Sequence, residues 1–178
     1  GVPVRGQRFD VLVLADERHA TDDPLGGLPS GARIGTGSLR RQAQIRHSRS
    51  DLELCDIRGN VETRLQKLDE GRFDAVVLAQ AGLERLELAD RIDRLLVPPL
   101  MFPAVGQAAL GIECRTEDDH TQSVLAQFTD RRTLAEVTAE RACLRELRAG
   151  CHAPVGVLTE FQGDDQPQLQ AVVLSVDG

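Results

Sequence analysis

The chain has 178 residues, 41% hydrophobic and 28% charged, which is enough for one sizeable core or two small ones. This composition excludes a disulfide-stapled miniprotein and a disordered tail, and no apolar run reaches the about 18 residues that a membrane span needs. The net charge of -7 and the absence of Trp and Tyr argue against a nucleic-acid partner. Because the N-terminus does not resemble a signal peptide, we expect a cytoplasmic protein.

The first half of the chain alternates between strand and helix patterns. The apolar run Asp10–Ala15 predicts a strand, and a polar loop follows it. Strand, short turn and helix then repeat three times. The predicted strands cover 32–36, 52–57 and 74–79, and the predicted helices cover 39–48, 61–70 and 81–88. This alternation predicts an α/β fold with a parallel sheet and helical crossovers.

The second half indicates a change of domain. The proline-rich segment Leu95–Pro103 suits a connection between domains. Beyond it the patterns predict a strand over Ala108–Cys114, helices over 118–128 and 131–148, and a β-hairpin of strands 155–161 and 169–176. Because the chain begins at Gly1 and ends in a turn signal, we expect a fragment cut at both ends.

The first β→α turn carries an anion-binding pattern. Thr36 and Ser38 offer hydroxyl donors at a predicted helix N-terminus, where free N–H groups and about half a positive charge favour an anion. Arg40 and Arg41 add two full charges in the same turn. A dinucleotide fingerprint is the alternative, since Asp56 follows about 20 residues on, but Arg40 stands where its third glycine belongs.

Two more turns repeat the theme. Arg58, Gly59 and Arg64 surround the second turn, and Arg85 follows the third. In an open α/β sheet such turns gather at one edge, so the arginines are expected to converge on a ligand with several carboxylates or phosphates. For any single arginine, a solvated helix face is the alternative.

The four cysteines show no C-x-x-C pair, so neither a zinc site nor a disulfide framework is predicted. Cys55, Cys114 and Cys143 fit ordinary buried thiols. Cys151 lies in a turn between a helix and a strand, where the helix dipole disfavours a thiolate. A permanent covalent tether would not need a fast nucleophile, and a structural thiol is the alternative.

Six strings in the chain carry a resemblance to a known family. They are IGTGSLRRQ (34–42), IRGNVETRLQKL (57–68), AGLERL (81–86), PAVGQAALGIECR (103–115), VTAERA (137–142) and LRAGCHAPVG (147–156). Together they resemble the porphobilinogen deaminases, also called hydroxymethylbilane synthases. The resemblance runs from about residue 10 to the end.

The resemblance implies a three-domain enzyme of tetrapyrrole biosynthesis with a periplasmic-binding-protein-like sheet domain. Such an enzyme condenses four porphobilinogen molecules into hydroxymethylbilane and releases ammonia. It implies a dipyrromethane cofactor held through a thioether to Cys151. The implied cofactor contacts are Thr36, Ser38, Arg40 and Arg41, and the implied substrate contacts are Arg58, Gly59, Arg64 and Arg85. Gln107 would belong to the hinge between domains.

The resemblance also implies a division of the chain. Residues 1–13 and 103–126 would be a remnant of the first domain and the hinge, 14–102 the second domain, and 131–178 a truncated α+β third domain that carries Cys151. The catalytic aspartate of the family would fall at Gly1, so we expect this chain to be inactive alone. A monomer without bound metal is expected. The alternative function is a non-catalytic α/β module that binds polyanions or solutes.

Overall fold

The computed structural model describes residues 1–16, 22–149, 153–163 and 166–178. Five strands form its main sheet, in the order β3-β2-β4-β1-β5. They are β1 (Asp10–Leu14), β2 (Arg33–Gly35), β3 (Glu53–Cys55), β4 (Ala75–Ala79) and β5 (Arg94–Leu96). β2 pairs in parallel with β3 and β4, whereas β1 pairs antiparallel with both β4 and β5.

Five α-helices accompany this sheet. They are α1 (Leu39–Ser48), α2 (Val61–Asp69), α3 (Gln80–Arg85), α4 (Asp119–Phe128) and α5 (Arg131–Glu146), with a short 3-10 helix at Ala89–Arg91. Beyond α5, strands β6 (Val155–Gln162) and β7 (Gln166–Val173) pair as an antiparallel hairpin. The predicted α/β class is therefore confirmed. No helix within the described ranges is both long and apolar enough to cross a membrane.

The main sheet is covered on both faces, which explains why its central strands are continuous apolar runs. Leu12, Ile34 and Val77 belong to one buried cluster, and Val11 and Val76 belong to the cluster on the other face. Because neighbouring residues of a strand point to opposite faces, β1 and β4 each contribute to both clusters.

Three expectations about the elements were wrong. The sheet is mixed rather than parallel, because β1 enters it antiparallel to β4. β5 forms within the stretch expected to be a connection and pairs with β1. Residues 108–114 form no strand: Leu110 and Ile112 are 58% and 40% exposed, and the backbone hydrogen bonds between Ile112 and Gly1 and from the Gly6 N–H to the Ala108 carbonyl do not make a continuous ladder. An apolar pattern predicts a strand only where a neighbouring strand is available to pair with it.

Candidate functional site

The turns that follow β2, β3 and β4 meet at one edge of the sheet. A Cβ atom built on Gly37, in the first turn, would lie 2.7 Å from Asp56 Oδ1 and 3.1 Å from the carbonyl oxygen of Ile57, in the second. One built on Gly82, in α3, would lie 3.5 Å from Val61 Cγ2 at the start of α2. The turns are neighbours because the three strands are parallel and end on the same side.

The first turn is a capped helix start. Ser38 is the N-cap of α1, with its Oγ 3.5 Å from the backbone N–H of Arg41, which donates to it. Thr36 is fully buried, and its hydroxyl oxygen accepts from the Ser38 N–H at 3.3 Å. Thr36 therefore shapes the turn, while Ser38 lines the neighbouring cavity.

Arg40 and Arg41 are buried side chains that share one carboxylate, that of Asp10 at the start of β1. Arg41 donates to Asp10 Oδ1 through Nε at 3.0 Å and Nη2 at 2.7 Å, and to the Val77 carbonyl through Nη1 at 3.0 Å. Arg40 Nη1 lies 2.8 Å from Asp10 Oδ2 and donates to the Phe102 carbonyl. Arg40 and Arg41, which were expected to bind an anionic ligand, thus already contact a carboxylate of the chain itself, that of Asp10.

The charges in this cluster do not cancel, because two guanidinium groups face one carboxylate. Burial alone would raise the pKa of Asp10, but the charges of Arg41 and Arg40 and their hydrogen bonds outweigh it and keep that pKa below its ordinary value. Burial lowers the pKa of Arg40, and Asp10 opposes this change. With Asp10 ionised and both arginines protonated, the cluster keeps one positive charge.

Arg40 also has a buried donor that no described group satisfies. Its Nε–H has no partner, although the side chain is only 5% exposed. Arg40 and Ser38 line a cavity of about 220 Å³, together with Ala104, Val105, Leu144, Ala153 and Val155. An unsatisfied buried donor is uncommon and costs free energy, so a cationic one beside a cavity suits an anionic ligand. Cys151 lies outside the described residues, and Ala153, two positions further on, lines this cavity.

The second turn adds two more arginines. Arg58 Nε donates to Asp56 Oδ2 at 2.9 Å, and Arg64 Nε donates to the Gly59 carbonyl at 2.8 Å. Gly59 adopts a φ of 121°, in the region that favours glycine. Burial lowers the pKa of Arg64, and the charges of Arg41 and Arg58 lower it further. The Arg58 guanidinium carbon would lie 3.7 Å from a Cβ atom built on Gly37, so this side chain reaches the first turn.

Arg85 is placed differently from the other predicted arginines. It is exposed at the end of α3 and lines a second cavity, of about 620 Å³. Val4, Gly6, Gly82 and Leu110 are among the other residues around that cavity. The structure thus brings Arg41, Arg58 and Arg64 together and assigns Arg40 and Arg85 to two different cavities.

Comparison with known proteins identifies the family. Residues 1–123 match the family described as "Porphobilinogen deaminase, dipyromethane cofactor binding domain", and residues 134–178 match its "C-terminal domain". The chain belongs to the porphobilinogen deaminase family.

Its relatives in this family are longer proteins. Porphobilinogen deaminase of Syntrophotalea carbinolica is 50% identical over 99% of this chain and 54% of the relative, and that of Synechococcus elongatus is 48% identical over the same shares. That of Xanthomonas oryzae pv. oryzae is 54% identical over 90% of this chain and 51% of the relative. The chain spans about half the length of the curated relatives it matches. An arginine-specific periplasmic binding protein of Salmonella typhimurium overlaps with a TM-score of 0.43 at 14% identity, over 82% of this chain and 64% of that chain, which is too low to support an argument.

The residues around the Arg40 cavity fit the cofactor-binding role that the porphobilinogen deaminase family description names. Ser38, Arg40 and Ala153 line one cavity, and Cys151 stands two positions before Ala153 in the sequence. A carboxylate seated there would balance the positive charge that the cluster keeps.

Sequence reasoning missed the groups that hold this site together. Asp10 is one of them, and its only signal is an acidic residue at the start of an apolar strand. Gln107 was expected only as part of a hinge. Its side-chain amide donates to Asp10 Oδ1 at 3.0 Å and to the Arg8 carbonyl at 2.7 Å, and its backbone carbonyl accepts from Arg5 Nε at 2.8 Å.

Proposed function

We propose that the protein to which this chain belongs is a hydroxymethylbilane synthase, which joins four porphobilinogen molecules head to tail and releases ammonia at each condensation. One observation carries the proposal: in a member of this family, the buried Arg40, whose Nε–H has no described partner, lines a cavity together with Ser38 and with Ala153, two positions after Cys151 in the sequence. Each porphobilinogen carries an acetate and a propionate group, the anions that such a donor binds.

The residues of this chain would divide the work of binding. Ser38 and Arg40 would hold a carboxylate of the dipyrromethane, which when bound through the Cys151 sulfur supplies the pyrrole carbon on which the product grows. Arg41, Arg58 and Arg64 would provide the positive field for the acidic groups of incoming substrate. Arg85 would act from the second cavity. Each charge-assisted hydrogen bond contributes about 1.5–3 kcal/mol, so several carboxylates per ligand are held firmly.

The wider organisation is also part of the proposal. We place residues 14–102 in a second domain, 1–13 and 103–126 in the first domain and its hinge, and 131–178 in a third. In support of the last boundary, one family match ends at residue 123 and the next begins at 134. A monomeric protein in the cytoplasm is proposed as well.

The test uses attachment to Cys151 rather than turnover. Hydroxymethylbilane carries a hydroxymethyl group that a thiol displaces with loss of water, forming a thioether without any ammonia release. We therefore incubate the 178-residue chain with hydroxymethylbilane, digest it with trypsin and measure peptide masses. The peptide that contains Cys151 is expected to gain the mass of the tetrapyrrole less one water.

A matched pair of variants controls for indiscriminate thiol chemistry. Cys151→Ser is expected to abolish the mass gain, whereas Cys114→Ser, which removes an exposed thiol, is expected to leave it unchanged. Equal labelling of Cys114 and Cys151 would overturn the proposal. So would reversible binding with no mass gain, which would favour a solute-binding module.

A further inference from the structure

We propose that Asp10 is a positioning residue for carboxylate binding: it holds the Arg40 guanidinium where the Arg40 side chain lines the cavity that Ser38 and Ala153 also line. The inference rests on the proposed function, because it concerns the same site. It adds a residue outside the β→α turns and gives the two adjacent arginines different tasks.

Asp10 accepts from one whole edge of the Arg41 guanidinium, the edge formed by Nε and Nη2. Two donors of Arg41 go to Asp10 Oδ1, and a third goes to the Val77 carbonyl of β4. A planar guanidinium held on two edges has little freedom to turn toward a ligand. Arg41 is therefore the arginine that braces helix α1 against the sheet.

The same carboxylate contacts Arg40 only at Nη1 and leaves the Arg40 Nε–H without a partner. Asp10 Oδ2 lies 2.8 Å from Arg40 Nη1 as an ion pair without hydrogen-bond geometry, the Phe102 carbonyl accepts from that same Nη1, and Gln107 Oε1 lies 3.4 Å from Nη2. All three contacts are on the Nη atoms. Because the guanidinium is planar, contacts on both Nη atoms fix its orientation and leave Nε as its one nitrogen without a described partner.

The carboxylate of Asp10 also lies between two groups of like charge. Arg40 and Arg41 are adjacent, buried and both positive, and the carboxylate between them offsets their repulsion. Without it, the two guanidinium groups would separate and Arg40 would leave its position beside the cavity. If Asp10 acted only as a counter-charge, its removal would make the cavity more positive and anion binding tighter. If Asp10 positions Arg40, its removal makes binding weaker.

The experiment compares two reactions at Cys151. The first is loading by subsaturating hydroxymethylbilane, and the second is alkylation by iodoacetamide, which carries no carboxylate. Both are followed by peptide mass in the 178-residue chain, under conditions where circular dichroism shows each variant to be folded. The ratio of the two rates reports carboxylate recognition and is independent of how accessible the thiol is.

Two variants and a control isolate Asp10. Asp10→Asn removes the carboxylate, and the double variant Asp10→Asn/Arg41→Gln also removes one cation, so that the cluster keeps its single positive charge. The control is Asp93→Asn. The Asp93 carboxylate accepts at 2.8 Å from the N–H of Leu14, which lies on β1 together with Asp10, and no described contact joins it to Arg40 or Arg41. The double variant keeps the test decisive if the single variant does not fold.

We expect the rate ratio to fall about tenfold in either Asp10 variant, the size seen for residues coupled within one network, and to stay unchanged in Asp93→Asn. We also expect Asp10→Asn to have no further effect on the ratio in an Arg40→Gln background, because Asp10 acts through Arg40. An unchanged or increased ratio, or an equal loss in the Arg40→Gln background, would overturn the inference. Failure of the unmodified chain to load at Cys151 would instead refute the proposed function.

Discussion

At the level of single residues, the sequence predicts which side chains gather but not what each one does. The spacing of Arg40 and Arg58 after predicted strands is enough to place them on neighbouring turns, since strand ends share an edge. It does not predict that Asp10, some 30 positions earlier, lies between Arg40 and Arg41. A buried ion pair depends on strand order, and the antiparallel entry of β1 was not predicted.

A second carboxylate, Asp51, provides a residue-scale prediction. Arg49 donates to it from Nε at 2.7 Å and from Nη2 at 2.8 Å. These hydrogen bonds to Arg49 lower the pKa of Asp51 from 3.8 to about 2. Arg49→Gln is therefore expected to return this pKa toward its ordinary value, as measured by NMR titration of the side-chain carboxyl carbon.

The control for this titration is Asp118, whose pKa is lowered by hydrogen bonds from Thr121 and should not respond to Arg49→Gln. Because the folded-state pKa of Asp51 is depressed, its contribution to stability is present above about pH 4 and is lost as the pH falls toward 2. An Asp51 pKa that is unchanged in Arg49→Gln would contradict the assigned cause.

At the level of elements, helices with side-chain caps were predicted better than strands. α1 was predicted to the residue, because Ser38 marks its start, and Asn60 marks the start of α2 in the same way. These signals lie within a few residues of the element they define. Strand formation needs a partner elsewhere in the chain, which is why residues 108–114 were predicted wrongly and β5 was not predicted.

Gly156, in β6, provides the element-scale prediction. A Cβ atom there would lie 2.5 Å from Phe102 Cβ and 2.8 Å from the Phe102 carbonyl oxygen. The next residue, Val157, donates its backbone N–H to the Pro103 carbonyl at 2.9 Å, which holds β6 against this segment. Gly156→Ala must push β6 away from this segment. We expect it to lower the free energy of unfolding by about 1–3 kcal/mol, measured by urea denaturation.

The matched substitution is Gly111→Ala, because a Cβ atom at Gly111 would meet nothing within 4 Å. It is expected to leave stability unchanged or to raise it by up to about 1 kcal/mol, through reduced freedom of the unfolded chain. Equal effects of the two substitutions would show that the close approach of β6 to Phe102 does not constrain the fold.

At the level of the whole molecule, one buried charge network joins the N-terminal segment to α5. Arg5 binds Glu140 through Nη1 at 2.7 Å and Nη2 at 3.0 Å, and both side chains are almost fully buried. Arg8 Nη2 lies 3.0 Å from Glu136 Oε2, and its Nη1 donates to the Thr159 carbonyl of β6. Residues more than 100 positions apart meet here, so no local pattern in the sequence could predict the network.

Removing one partner of this network is expected to be costly. Glu140→Gln leaves the Arg5 guanidinium buried, with Glu136 Oε2 3.6 Å away as its nearest remaining carboxylate. A buried charge that loses its partner destabilises a protein by about 3–5 kcal/mol, so a loss of this size is expected in urea denaturation. Glu146→Gln is the control on the same helix: its side chain is 82% exposed, and a change within about 0.5 kcal/mol is expected.

Removing both partners separates the ion pair from the other contacts of Arg5 and Glu140. In Arg5→Met/Glu140→Leu the unpaired charge is gone, but the Gly106 N–H loses its acceptor, Glu140 Oε2 at 2.7 Å, and the Gln107 carbonyl loses its donor, Arg5 Nε at 2.8 Å. Both groups are neutral and cost less than an unpaired buried charge, so the double variant should be more stable than Glu140→Gln. If the double variant is the more stable of the two, the ion pair mainly fixes how the N-terminal segment, residue 106 and α5 fit together. If the two variants are equally unstable, the ion pair contributes net stability.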